Sequence, residues 1–176
     1  MFGLARLPAA AFFLIGALWG APSDGPRFQL YVSGIALERA DNPANSTKVQ
    51  LMVYARNFGT ASIARHWSLS LKIADKQIQG VPLPNETPYA GRELPTLDRA
   101  LEKTALSSGD GRVGYLYFLL KGVPETALGG NIKETPNTDL VLSMEDQAGH
   151  VWQTKVNLRA LANRAKSIEK PATNPS

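Results

Sequence analysis

Between Phe28 and Leu158 the chain alternates apolar and polar residues with a period of two, in short windows separated by turn residues. Successive side chains of a strand point to opposite faces, so this pattern demands half-buried strands, each with one face on a core and one on water. Phe28, Leu30 and Val32 alternate with Gln29, Tyr31 and Ser33, and Val49, Leu51, Val53 and Ala55 alternate with Gln50, Met52, Tyr54 and Arg56. Trp67, Leu69, Leu71 and Ile73 follow, with Ser68, Ser70 and Lys72 on the wet side. Gly34 interrupts the first window, and Ile35 and Leu37 resume it, which predicts a bulge or kink. Arg112 to Lys121 is apolar on both phases and predicts a central strand that keeps neither face in water.

Turn chemistry divides these windows. Asp41–Thr47, Asn57–Thr60, Ser107–Gly111 and Gly122–Asn137 have loop compositions, and a short strand is expected around Ile78 and Val81. Asp146-Gln147-Ala148-Gly149 places Asp and Gly at the ends of a type I turn, between a strand carrying Leu140, Leu142 and Met144 and a return strand carrying Trp152, Val156 and Leu158. Pro82–Thr96 holds four prolines and is expected to cross irregularly, because proline cannot donate to a ladder. Leu97, Leu101 and Ala105 fit a short helix, yet Leu101–Leu106 also fits an edge strand, and the strand is preferred. After Leu158 the period changes. Leu161, Ala162, Ala165 and Ile168 recur at helical spacing opposite Arg159, Arg164 and Lys166, predicting an amphipathic helix over 159–169. About seven strands with one trailing helix argue for an all-β antiparallel β-sandwich, with a barrel as the alternative.

Three stretches carry a resemblance: the strand and Asn-x-Gly turn of Val49–Gly59, Leu-Ser-Ser-Gly-x-Gly before an aromatic strand ending in Val-Pro (Leu106–Pro124), and Leu-x-Leu-x-x-x-Asp-x-x-Gly (Leu140–Gly149). Together they resemble the small extracytoplasmic immunoglobulin-like domains of bacteria, of the telokin-like sort. The resemblance implies an immunoglobulin-like sandwich over 28–158 that serves as a binding or spacer module, with no shared catalytic group. The Pro82–Thr96 crossing and the trailing helix depart from the compact form of those domains.

The first 23 residues have another character. Arg6 precedes an uncharged run from Leu7 to Gly20, followed by Ala21, Pro22 and Ser23. This is the layout of a secretory signal peptide, and the run falls short of the roughly 20 apolar residues that span a bilayer. The expectation is a periplasmic or secreted protein with no stable membrane span after cleavage. It comprises a leader (1–23), the β domain (28–158), the helix (159–169) and a disordered tail (170–176).

Residue types narrow the chemistry. Without Cys there are no disulfides, thiolate sites or Cys nucleophiles, and His66 and His150 alone cannot build a multi-His metal centre. Neither histidine has a nucleophile motif beside it. Calcium loops and phosphate-binding glycine loops are missing, and Asp110 and Asp146 are explained as turn residues. An acid pair for glycoside hydrolysis needs only to meet in space, so a small hydrolase stays open as a lesser alternative. The net charge of +4, from 19 Lys and Arg against 15 Asp and Glu, is concentrated near the C-terminus and lacks interleaved aromatics, which argues against nucleic acid. Asn45-Ser46-Thr47 and Asn85-Glu86-Thr87 are glycan-acceptor triplets expected in loops. Trp67, Tyr115 and Trp152 belong to strand windows and are expected in the core. No cofactor and no catalytic residue is indicated. Tyr89 and Arg92 in the proline-rich crossing, and Arg159 and Arg164 on the basic helix, are the candidate binding residues. The expected function is non-catalytic binding or scaffolding of another envelope or extracellular protein, with edge-strand addition to an envelope assembly as the alternative.

Overall fold

Alternation becomes burial along β1 (Phe28–Ala40), where Phe28, Leu30 and Val32 enter the core while Gln29 and Tyr31 stay in solvent. The structure, a computed structural model, describes residues 25–73, 75–83, 96–129 and 135–169, with side chains up to residue 163. The leader, the tail and most of the proline-rich crossing lie outside the described residues. Six strands follow β1: β2 (Ser46–Asn57), β3 (Ala64–Ile73), β4 (Lys76–Pro82), β5 (Gly111–Leu120), β6 (Asp139–Asp146) and β7 (Val151–Asn157). They pair antiparallel in the order β1-β2-β5-β4-β3-β6-β7. The sheet curls until its two edge strands lie against each other, with Phe28 of β1 and Trp152 of β7 meeting edge to face at 6.2 Å. The architecture is thus mostly β, a nearly closed, barrel-like sheet with short helices. The described helices include none long and apolar enough to cross a membrane.

The bulge expected at Gly34 is present as a register shift between Val32 and Gly34 against β2. The two-phase apolar run becomes β5, whose residues from Gly114 to Leu120 are all buried. The 146–149 turn joins β6 to β7, with Gly149 at φ +89° donating to the Asp146 carbonyl. Asn45 sits in a left-handed turn at φ +58°, but Ser46 and Thr47 differ from the loop expectation: both are buried and open β2. Asn85 lies outside the described residues.

Strand β4 is shared. Lys76–Gly80 pairs with β3 from Leu69 to Ile73, whereas Val81 and Pro82 pair with β5. Gly80 stands at the changeover, where an added Cβ would sit 3.0 Å from Phe118 and 3.2 Å from Leu69. Above this point no strand among the described residues lies between β3 and β5, and α1 (Leu97–Lys103) packs against both. This corrects the preference for an edge strand over Leu101–Leu106. Among the described residues, Leu106 alone of this stretch makes a strand-like contact, a single bridge to Ser62. The helix places Leu97 and Leu101 one turn apart and fully buried in the core. Burying a leucine contributes about 2 kcal/mol, more than any difference in local propensity between the two conformations. A short α2 (Glu125–Leu128), within a stretch expected to be loop, buries Leu128. The C-terminal helix is α3 (Leu158–Glu169); Asn157 caps it by accepting from the Ala160 N–H at 3.1 Å, and Leu158 and Leu161 anchor it in the core.

The chain enters β1 beside the turn after β2. The Phe58 N–H donates to the Arg27 carbonyl at 2.8 Å and the Thr60 N–H to the Gly25 carbonyl at 3.3 Å, so backbone runs over Gly59. A Cβ at Gly59 would lie 2.1 Å from the Gly25 carbonyl oxygen. Gly59→Ala is expected to cost about 2–3 kcal/mol, the usual penalty of overpacking, read as a lower urea midpoint. A midpoint equal to wild type would show that the 25–27 segment does not hold this position.

Candidate functional site

The two histidines come to one end of the sheet, on adjacent carboxylates of β6. A second register shift, between Arg65 and Ser68 of β3, puts His66 in the left-handed region at φ +52°. Its Nδ1 lies 3.1 Å from Glu145 Oε2, and Arg65 reaches the other oxygen at 3.4 Å. The hydrogen bond from His66, with Arg65 beside it, holds the Glu145 carboxyl below the ordinary carboxylate range.

Asp146, one residue on, points the other way and is fully buried. Its Oδ1 accepts from the Ala148 N–H at 2.8 Å and the His150 N–H at 3.0 Å. Its Oδ2 accepts from the Trp152 indole at 3.0 Å and lies 3.1 Å from His150 Nδ1. Burial pushes this carboxyl up, but the hydrogen bonds, led by that from Trp152, outweigh it and hold the group below its ordinary value. Trp152 in turn packs its ring on Phe28, so the carboxylate ties the β6–β7 turn to the seam between β1 and β7.

Chemically this end is a set of turn and bulge anchors. Glu145 and Asp146 are consecutive strand residues on opposite faces and do not form an acid pair. A carboxylate on Nδ1 is the orienting half of a nucleophilic triad. Among the described residues, however, no serine or threonine hydroxyl bonds either imidazole, and no group of three His, Asp or Glu side chains has metal-binding geometry. The expected binding residues are dispersed. Tyr89 and Arg92 lie outside the described residues. Arg159 is half-buried and donates from Nε to the Thr135 carbonyl at 2.8 Å, fastening the connector before β6 to α3. Arg164 is in α3, with its side chain beyond those described. Trp67 and Tyr115 are buried as expected, and Trp152 is partly buried against the core.

A different surface emerges on the outer face of β1, β2 and β5. Register aligns Tyr31 with Tyr54 and Tyr54 with Val113, and beside this row Met52 lies opposite Gly34 and Tyr115. Tyr31 is 52% exposed, Val113 39% and Met52 36%, so the stripe faces solvent. Tyr54 lies against the β5 backbone at Gly111, where a Cβ would fall 2.3 Å from its hydroxyl oxygen. At the end of the stripe the Arg56 guanidinium sits 4.6 Å above the Phe58 ring, itself 46% exposed. The sequence carries the signal for this surface: Tyr31, Met52 and Tyr54 occupy the solvent phase of their strands, where small polar residues would satisfy the alternation. Period-2 alternation reports which phase is buried and does not single out what occupies the other.

No protein-family model matches the chain, and no curated protein matches it. Among solved structures it is similar to a protein of Bacillus subtilis provisionally described as a lipoprotein, with a TM-score of 0.44 and 9% identity over 79% of this chain. That match takes in 39% of the Bacillus protein, so the chain spans about two fifths of its length. It is also similar to a Bordetella pertussis protein provisionally described as ApaA, with a TM-score of 0.36 and 10% identity over 77% of this chain and 92% of the other. A third likeness, to the structural-genomics target SoR45, has a TM-score of 0.33 and 12% identity over 75% and 82% of the two chains. At these scores and identities the likenesses assign neither family nor function.

Proposed function

We propose that the chain is an exported, non-catalytic binding module of the bacterial envelope or exterior, built as an immunoglobulin-like sandwich and docking on an acidic surface of another protein. The leader-like first 23 residues support export. The split pairing of β4 supports the sandwich: β1-β2-β5 and β3-β6-β7 form two layers, and a strand that changes partners at Gly80 makes the corner between them.

The stripe of exposed Tyr31, Met52 and Val113, with half-buried Tyr54 among them, carries the functional reading. Aromatic and Met side chains exposed on a sheet face are the residue types enriched at protein interfaces. Arg56 stands at its margin, and the outward positions of these three strands hold a single carboxylate, Glu38, which Lys48 meets at 3.8 Å. A face so short of acid favours an acidic partner. Edge-strand addition has less support, because the two edges already lie against each other along Phe28 and Trp152.

The test is capture of partners from envelope extract by the full chain and by Tyr31→Ala/Tyr54→Ala, with Lys103→Ala, at the end of α1, as control. Each tyrosine is expected to supply about 2 kcal/mol, so the double variant should release the partner, and added salt should weaken the wild-type complex. Equal capture by the double variant would overturn this reading.

A further inference from the structure

The opposite layer carries an open groove of about 490 Å³ on the outer face of β4, β3, β6 and β7. Register builds its floor: Ser70 lies opposite Val141 and Val141 opposite Lys155, while Lys72 lies opposite Gln77 and Asp139 opposite Asn157. Three strand steps of about 4.8 Å make this floor roughly 14 Å long.

Its wall is fixed by bonds that leave the groove-facing groups unused. Asn157 donates from Nδ2 to Asn137 Oδ1 at 2.9 Å while capping α3, Thr138 donates its hydroxyl to the Lys72 carbonyl, and the Thr138 carbonyl accepts from the Leu158 N–H at 2.8 Å. By contrast, the side chains of Ser70, Lys72, Gln77, Asp139 and Lys155 have no hydrogen-bond or ion-pair partner among the described residues. Two ammoniums, a carboxylate, an amide and a hydroxyl therefore converge on one cleft without using one another.

We propose that this groove binds an acidic saccharide, a short run of sugar rings bearing carboxylates. Sugar hydroxyls both donate and accept, which suits Ser70, Gln77 and Asp139, and ligand carboxylates suit Lys72 and Lys155. Other ligand classes fit less well. A phosphodiester strand would meet Asp139 without an arginine fork or a stacking ring to compensate. An extended peptide needs a free strand edge or a row of apolar pockets, and the described residues that line the groove are mostly polar. The site goes beyond the docking face proposed above and lies on the other layer.

Titration of the full chain with tetragalacturonate, and with neutral maltotetraose, tests it. Tetragalacturonate is expected to bind and maltotetraose to bind far more weakly. Lys72→Ala and Lys155→Ala should each weaken tetragalacturonate about tenfold, the loss of one charge-assisted hydrogen bond, while Lys103→Ala leaves it unchanged. Tyr31→Ala/Tyr54→Ala should also bind it like wild type, so the two proposals fail separately. No binding of tetragalacturonate, equal binding of both sugars, or undiminished binding by Lys72→Ala/Lys155→Ala would each overturn the inference.

Discussion

Asn57→Ala is expected to destabilise the fold by about 3–5 kcal/mol, because one buried amide serves four backbone groups. From Nδ2 it donates to the carbonyls of Thr60 at 2.7 Å and Leu106 at 2.8 Å. Its Oδ1 accepts the N–H groups of Arg27 and Gly59, both at 3.0 Å. The Asn57 main chain adds bonds to Asp110 and Gly109. Three separate stretches, the entry to β1, the turn after β2 and the loop before β5, are thereby held to one side chain. Alanine takes this partner from the part-buried N–H groups of Arg27 and Gly59 and the Thr60 carbonyl, and leaves the buried Leu106 carbonyl with the Ser62 N–H alone, each lost bond costing about 1 kcal/mol or more. Asn57→Asp separates this account from a simple loss of volume. Aspartate keeps the shape and the accepting oxygen but brings a second acceptor against the Thr60 and Leu106 carbonyls, so it should cost at least as much as alanine. Urea denaturation with an unchanged slope measures both. An aspartate variant of wild-type stability would show that the two donated bonds do not matter.

Asn57 also marks the limit of what is legible in the chain. Its turn is evident from Asn-Phe-Gly-Thr, but its partners Arg27 and Leu106 are 30 and 49 residues away, and no local pattern announces them. Strands are legible because their period-2 signal is local: β1, β2, β3 and β6 bury the phase that their apolar residues occupy, and β5 buries both. The β6–β7 hairpin and the Gly34 bulge follow from turn and glycine chemistry in the same way. What failed was decided by distant geometry. Residues 97–103 form a helix that packs against both β3 and β5 beyond the point where β4 changes partners, and two leucines one helical turn apart fill the core there. Pairing order is hidden for a related reason, since nothing local in Lys76–Pro82 says that one short strand serves two neighbours. Of the candidate site, the solvent-phase aromatics of β1 and β2 were in plain view, whereas the groove requires knowing that Lys72 and Lys155 lie on strands separated only by β6.

Asp146→Asn is expected to cost about 2–4 kcal/mol at neutral pH, and the cost should fade in acid. Asparagine can still accept the Ala148 and His150 N–H groups, but its amide would set a donor against the Trp152 indole, leaving two buried donors face to face. The pH dependence follows from proton counting. Hydrogen bonds hold the folded Asp146 carboxyl below its ordinary value, while in the unfolded chain it titrates near pH 4. Between those two values the unfolded state binds more protons, so stability rises with pH across that window. The contribution is complete above about pH 4 and is lost as the pH falls through the lower folded value. The gap in urea midpoint between wild type and Asp146→Asn should therefore be constant near neutrality and narrow on acidification, as the wild-type carboxyl takes up its proton. The Trp152 indole N–H resonance gives a local reading, shifting over the same pH range in the wild type and not in the variant. A gap that persists undiminished into strong acid, or a variant as stable as wild type at neutral pH, would mean that packing of Trp152 on Phe28, and not the carboxylate beneath it, closes the seam between β1 and β7.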